Sequence, residues 1–214
     1  MSTIAESESS AAPQQPGQES IAASVILDKA LKLAELSSWE SVRLHDIAVA
    51  LNVTLDQIRM HFRQKDDLVE AWFDRADSSM LTDAAAPDYL HFSGRERIHR
   101  SIMAWLQALA PHRRITREML MYKLEFGHVH LQVLGILRIS RTVQWILESA
   151  NSKTTHLSRI LEEVGTTGIY LATFVYWMRD DSPGSIDTQG FLDRLLRRAE
   201  GVSRVVNPAS VTAR

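Results

Sequence analysis

The side chains that could do chemistry are concentrated in the stretch VTLDQIRMHF, residues 53–62. Thr54, Gln57 and Arg59 carry hydroxyl, amide and guanidinium groups, which bind phosphate oxygens and base edges in DNA complexes. The pattern is typical of the turn and second helix of a helix-turn-helix, which enters the major groove. Asp56 lies in the same stretch, however, and a carboxylate repels phosphate. Two interpretations therefore stay open: a helix that reads DNA, or a scaffold of this shape that does not.

The charge balance gives DNA binding no support at the level of the whole chain. Lys and Arg number 24 against 26 Asp and Glu, a net charge of −2. Residues 24–70 carry six Lys and Arg against eight Asp and Glu, a poor surface for displacing counterions from DNA. Arg59, Arg63 and Lys65 lie close together in sequence, so whether the head can bind DNA depends on where these charges lie on its surface.

Composition excludes several classes of site. The chain has no cysteine, which rules out disulfides, thiolate metal sites and cysteine nucleophiles. It contains no common nucleotide-binding or hydrolase motif, so we predict neither an enzyme nor a cofactor. The longest apolar run, residues 169–178, is too short to span a bilayer, and no Lys or Arg precedes Lys29. We therefore expect a cytoplasmic protein without a transmembrane segment or signal peptide.

The spacing of apolar residues predicts an all-α protein. We divide it into a disordered tail (1–22), a head of short helices (23–70) and a longer helical body (71–207). Asn52 is expected to end the second helix in the left-handed conformation, and Thr54 to cap the third. The predicted helices cover about 24–36, 44–51, 55–61, 66–80, 98–109, 116–126, 128–150, 156–178 and 187–206.

Residues 26–72 resemble the N-terminal domain of TetR-type transcriptional regulators. The resemblance implies a helix-turn-helix head on a larger C-terminal helical bundle, with double-stranded DNA as the partner. It also implies a ligand in the bundle. The matching residues are Trp39, Asp46, Ile47, Ala48, Val53, His61, Phe62, Lys65 and Leu68.

The same resemblance implies which residues would hold phosphates and read bases. This chain departs from the family pattern at several of these places, because Arg43 replaces the usual Ser or Thr and Arg59 the usual tyrosine. Asp56 replaces a small residue, and Asn52 the turn glycine. The implied DNA-binding residues are Arg43, Thr54, Gln57, Arg59, His61 and Lys65.

A second resemblance covers residues 168–196, which are similar to the C-terminal part of ubiquinone-biosynthesis accessory proteins. These proteins share the TetR fold but bind isoprenoid lipid, and they are not known as DNA readers. The resemblance implies an alternative function as a lipid-binding accessory protein. It is carried by Gly168, Ile169, Tyr170, Asp181, Ser182, Pro183, Asp187, Thr188, Phe191 and Leu192.

The body contains large apolar residues that either form its core or line a pocket for a small apolar or amphipathic effector. Arg138 and Arg141 are expected either to pair with acids such as Glu148, Glu162 and Glu163 or to contact an effector headgroup. The candidate ligand-binding residues are Trp105, Met119, Tyr122, Arg138, Arg141, Trp145, Tyr170, Phe174 and Trp177.

The last two long helices are predicted to form a homodimer, because the apolar stretch 169–178 needs more cover than one small body provides. Two heads about one DNA turn apart would read a near-palindromic operator. We therefore predict a ligand-responsive DNA-binding regulator in which the ligand moves the connecting helix, residues 66–80. That the regulator represses transcription is implied by the family resemblance alone.

Overall fold

The computed structural model describes the backbone of residues 21–124, 129–150 and 156–206, and the side chains of residues 21–122, 138–150 and 163–201. The predicted disordered tail lies almost wholly outside these residues. Where the backbone is described it contains no strand, so the prediction of an all-α fold is confirmed.

The helices follow the predicted order. Single turns of 3₁₀-helix occur at Tyr89–His91, Ala110–His112 and Pro183–Ser185. The α-helices are α1 (Ala23–Leu36), α2 (Leu44–Leu51), α3 (Leu55–Arg59), α4 (Lys65–Ala84), α5 (Gly94–Leu109), α6 (Arg113–Leu124), α7 (Val129–Ser149), α8 (His156–Trp177) and α9 (Ile186–Val206).

The head is held together by one apolar face of α1. Its buried residues recur at helical spacing, and Ile26, Ala30 and Ala34 are fully buried. Ile47 of α2 and Ile58 of α3 are also fully buried and belong to the same core. The short helices α2 and α3 are therefore held in place by packing, because helices of this length are not stable alone.

The turn between α2 and α3 is built by local hydrogen bonds. Asn52 adopts the left-handed conformation (φ 54°, ψ 45°), and the Thr54 hydroxyl accepts a hydrogen bond from the Gln57 backbone N–H at 3.2 Å. Both capping predictions are confirmed. α3 ends at Arg59, two residues before the predicted end.

The connecting helix α4 is longer than predicted and reaches Ala84. The alanines that follow Asp83 favour helix, so α4 extends past its predicted end at residue 80. α4 packs against α5 and α7 in the body and against α1 in the head. The Trp72 indole N–H also donates to the Thr116 hydroxyl of α6 at 2.9 Å. A shift of α4 would therefore change contacts in both the head and the body.

Candidate nucleic-acid interface and effector site

The outer surface of α2 and α3 is the place where a helix-turn-helix would meet DNA. On α3, Ile58 is buried and Asp56 is exposed, so the helix has a core face and an outer face. Gln57 and Lys65 are half-buried. The predicted contacts that are exposed are Arg43, Thr54, Arg59 and His61.

Thr54 and Gln57 are bound to each other. The Gln57 side-chain carbonyl accepts hydrogen bonds from the Thr54 backbone N–H at 2.8 Å and from its hydroxyl at 3.2 Å. The two residues form a capping box that fixes the start of α3. This arrangement leaves the Gln57 amide NH₂ group for a contact outside the helix.

Asp56 and Arg59 form an ion pair on the outer face of α3. Arg59 Nη2 lies 2.8 Å and Nε 3.1 Å from the same carboxylate oxygen, Oδ1 of Asp56. The Arg59 and Asp56 side chains are 70% and 69% exposed. An exposed pair of this kind contributes at most about 1 kcal/mol to stability, so it is not needed to hold the fold.

Other acids of the head serve as helix caps. The Asp46 carboxylate accepts a hydrogen bond from the Arg43 backbone N–H at 3.2 Å. The Asp67 carboxylate accepts from the backbone N–H groups of Arg63 at 2.7 Å and Gln64 at 3.3 Å. These carboxylates lie at the N-termini of α2 and α4, where the helix dipole favours negative charge.

Lys65 points into the protein. Its ammonium donates to the backbone carbonyls of Trp39 and Glu40 and lies 5.0 Å from the centroid of a Trp39 ring. Burial lowers the pKa of Lys65, while the nearby Glu40 and Asp66 carboxylates act in the opposite direction. The side chain therefore ties the start of α4 to the loop between α1 and α2.

A pair of residues on α6 holds the head by hydrogen bonds. Arg114 donates to the carbonyls of Ala34 and Glu35 at 3.1 and 3.0 Å, at the C-terminal end of α1. The Glu118 carboxylate accepts a hydrogen bond from the Trp39 backbone N–H at 2.7 Å. The head is thus fixed to α6 by hydrogen bonds as well as by apolar packing.

The neighbouring pair on α6 holds the end of α8. Arg113 donates to the Asp180 carbonyl and, at 2.9 Å, to the Ser185 hydroxyl, and Arg117 donates to the Met178 carbonyl. Cations are favourable at a helix C-terminus. α6 therefore connects the head to the turn between α8 and α9.

Aromatic side chains fill the body between α4, α5 and α8. Trp105 stacks on Phe73 of α4, with ring centroids 5.9 Å apart, and meets Tyr170 and Phe174 edge-on at 5.3 and 5.5 Å. Phe174 stacks on Trp177 at 5.9 Å. The structure thus brings together four of the predicted ligand-binding residues, and Phe73 places α4 in contact with them.

The other apolar residues predicted to bind ligand lie elsewhere. Met119 is fully buried on α6, and Tyr122 faces the Lys65 ammonium, 5.5 Å from its ring centroid. Trp145 is 44% exposed on α7, so it does not share the buried cluster around Trp105.

Arg138 is buried and meets acids of α4. Glu148, Glu162 and Glu163 were named as possible partners from the sequence, and the Glu162 side chain lies outside the described residues. Its Nη2 lies 2.8 Å from Oδ2 of Asp77, and Nη1 contacts Asp74. Asp77 also accepts hydrogen bonds from the Trp105 indole N–H at 2.8 Å and the Thr142 hydroxyl at 3.1 Å. Burial raises the pKa of Asp77, and the Arg138 guanidinium opposes that rise.

A signal for this network is present in the sequence. Glu70, Asp74 and Asp77 follow helical spacing along α4 and so share one face. Arg141 contacts two of them, Glu70 at 3.5 Å and Asp74 at 3.2 Å. An acidic stripe on a connecting helix predicts a basic partner in the body, but not which helix carries it.

The far end of α8 has an exposed apolar side in the single chain, within the stretch 169–178 that was predicted to need cover from a second protomer. Val175 is 46% and Tyr176 37% exposed, and Tyr176 stacks on Phe191 of α9 with centroids 4.4 Å apart. Together with Leu171 and Ala172 they line a groove of about 720 Å³. Among the described residues, no helix combines the length and apolarity required to cross a bilayer.

Comparison with known proteins gives two kinds of match. The solved structure of a TetR transcriptional regulator from Nitrosomonas europaea ATCC 19718 is 49% identical in sequence to this chain. The match covers 83% of this chain and 97% of the regulator, and the two structures superpose with a TM-score of 0.75. The TetR family regulator PfmR from Thermus thermophilus is 14% identical over 80% of this chain and 97% of its own, with a TM-score of 0.43. The COQ9 family model matches residues 139–203. No curated protein matches the chain.

Proposed function

The chain belongs to the TetR family of transcriptional regulators, and from this premise we propose that it binds operator DNA through its head and an apolar or amphipathic effector through its body. The DNA-binding head covers residues 23–70, and the ligand-binding and dimerisation body covers residues 71–207. A homodimer places two heads about one helical turn apart on a near-palindromic operator. Effector binding then releases the DNA, so the protein acts as a non-enzymatic repressor in the cytoplasm.

The observation that carries the proposal is the exposure of cations on the outer side of the helix-turn-helix. Arg43 and Arg63 are exposed around α2 and α3, and Arg59 is exposed as well but paired with Asp56. Asp46 and Asp67 bind backbone N–H groups at helix N-termini, where the helix dipole offsets part of their charge. The electrostatic potential near the DNA-facing side of the head is therefore less negative than the net charge of the head suggests.

The aromatic cluster supports an effector response. Trp105 contacts Phe73 of α4, and Asp77 of α4 is bonded to both Trp105 and Arg138. A ligand that separated these side chains would have to displace α4, which also packs against the head. Such a ligand would change the distance between the two heads of a dimer.

A salt titration of DNA binding tests the proposal. The affinity for a labelled duplex from the protein's own promoter should fall steeply with salt, since each phosphate contact releases counterions. Arg43→Gln should make the slope of log K against log salt shallower by about 0.9 per head. Arg198→Gln, at an exposed site on α9, is the matched control and should leave the slope unchanged. Absence of binding at low salt, or a flat slope, would overturn the proposal.

A lipid-binding accessory protein is the second candidate, and the COQ9 match over residues 139–203 favours it. The two candidates predict different contents of the purified protein. Organic extraction followed by mass spectrometry should find isoprenoid lipid if the second candidate is right. Lipid together with no DNA binding at low salt would replace the regulator by the lipid carrier.

A further inference from the structure

The ion pair on α3 leaves one edge of the Arg59 guanidinium open. A guanidinium has five N–H donors in a fixed plane. The contact with Oδ1 of Asp56 uses Nε, at 3.1 Å, and one N–H of Nη2, at 2.8 Å. Nη1 and the second N–H of Nη2 make no hydrogen bond to any residue that the structure describes. At this end of the guanidinium, one N–H of Nη1 and one N–H of Nη2 are parallel to each other.

That free edge matches guanine. In the major groove guanine presents two neighbouring acceptors, N7 and O6, and two parallel donors of an arginine bind both. Arg59 and Asp56 are 70% and 69% exposed, so the described residues leave the pair accessible to a duplex. The second carboxylate oxygen of Asp56, Oδ2, is not used in the ion pair.

Building on the proposed DNA binding, we propose that Arg59 is a specificity-determining residue that reads a guanine in each operator half-site, and that Asp56 is the positioning residue that aims it. A single exposed arginine would contact the nearest phosphate, since phosphates are the densest acceptors on DNA. Asp56 repels phosphate and fixes the plane of the guanidinium. The pair thereby weakens non-specific binding and strengthens the preference for one base pair, which gives the carboxylate on the recognition helix a function.

Two simpler roles for the pair make different predictions. A phosphate contact carries no sequence information, so changing it weakens binding to every duplex alike. A surface ion pair without a DNA role would leave both affinity and base preference unchanged when it is removed. Only base reading makes the effect of Arg59→Lys depend on one base pair, so this variant separates it from both alternatives.

The experiment begins with selection of bound duplexes from a random pool by the full-length protein. In the selected half-site each guanine is then replaced in turn by 7-deazaguanine, which lacks the N7 acceptor but pairs normally. At one guanine, base-pair replacement should weaken wild-type binding by about 5- to 150-fold, and 7-deazaguanine should produce part of that loss. With Arg59→Lys the same changes should have a clearly smaller effect, because lysine lacks the rigid, planar pair of donors.

Two further variants complete the test. Arg63→Lys is the matched control, since Arg63 is exposed but lies beyond α3, and its base preference should equal that of the wild type. Asp56→Asn should bind random duplex more tightly and discriminate less at the same guanine. Circular dichroism checks that each variant is folded.

The outcomes are distinguishable. If selection recovers no duplex even at low salt, DNA binding itself fails, and the reading of guanine fails with it. If an operator is recovered but Arg59→Lys keeps the full penalty at every guanine, the regulator stands and the base-reading role of Arg59 is wrong. If Asp56→Asn discriminates as well as the wild type, the positioning role of Asp56 is wrong.

Discussion

At the scale of single residues, the body contains a buried ion pair between Asp77 and Arg138. Both side chains are 8% exposed. Desolvation penalises each charge, and the contact between them offsets that cost only while both partners are present. The hydrogen bonds from Trp105 and Thr142 occupy the other carboxylate oxygen. Removing one partner should therefore cost more than the pair itself contributes.

We predict that Arg138→Met lowers the free energy of unfolding by about 3 kcal/mol at pH 7, because Asp77 is left buried without its main counter-charge. Burial already raises the pKa of Asp77, and the loss of Arg138 raises it further. The folded state then holds a proton that the unfolded chain releases, so stability falls as pH rises from the ordinary aspartate value through the raised pKa. Urea unfolding at pH 5 and pH 7 should show the larger loss at pH 7.

Arg141→Met is the control for this prediction. Arg141 contacts Asp74 and Glu70 as well, but its side chain is 49% exposed, so its removal should cost less than about 1 kcal/mol. Equal losses for the two variants would show that burial of the Arg138 contact does not matter.

At the scale of elements, α6 connects parts of the molecule that the sequence keeps far apart. Arg114 and Glu118 contact the end of α1 and the loop at Trp39, and Arg113 and Arg117 contact the end of α8. The two pairs repeat at a spacing of four residues, so each lies along one side of the helix. A shift of α6 would therefore alter the position of the head relative to the α8–α9 turn.

We predict that Glu118→Ala speeds hydrogen exchange at the Trp39 amide and the C-terminal end of α1, because the Trp39 N–H loses its acceptor. Exchange at residues 178–182 should not change. Arg117→Ala should do the reverse, since it removes a donor from the Met178 carbonyl. Mass-spectrometric exchange on both variants measures this, and the same response from both would contradict separate contacts on the two sides of α6.

At the scale of the whole molecule, the exposed apolar side of α8 is the surface we assign to dimerisation. Tyr176 and Phe191 stack across α8 and α9 at the groove, and Val175 is 46% exposed beside them. Covering such a surface with a second copy removes apolar area from water, at about 25 cal/mol per Å². A two-fold interface pairs the same groove on both protomers.

We predict that Val175→Asp converts a dimer into a monomer, because it places a charged carboxylate among the apolar side chains of the interface. Sedimentation equilibrium should give twice the chain mass for the wild type and the chain mass for the variant. Leu36→Asp is the matched control, since Leu36 is 86% exposed on the head and its change should leave the mass unchanged. A dimeric Val175→Asp protein would place the interface elsewhere.

Several features of the protein were determined by the sequence alone. The helix order, the left-handed Asn52 and the Thr54 cap were all predicted, because each depends on residues within about four positions of one another. The family was predicted for the same reason, since its motifs lie on consecutive short helices. The ends of α3 and α4 were less accurate, because helix ends depend on packing as well as propensity.

Only the tertiary structure decided which charged groups meet. Lys65 was predicted to contact phosphate, and in the structure its ammonium donates to the carbonyls of Trp39 and Glu40. Arg138 meets Asp77, a residue sixty-one positions earlier in the chain. Such contacts depend on how helices pack across the core, and helical periodicity fixes the face of a residue but not the helix that faces it.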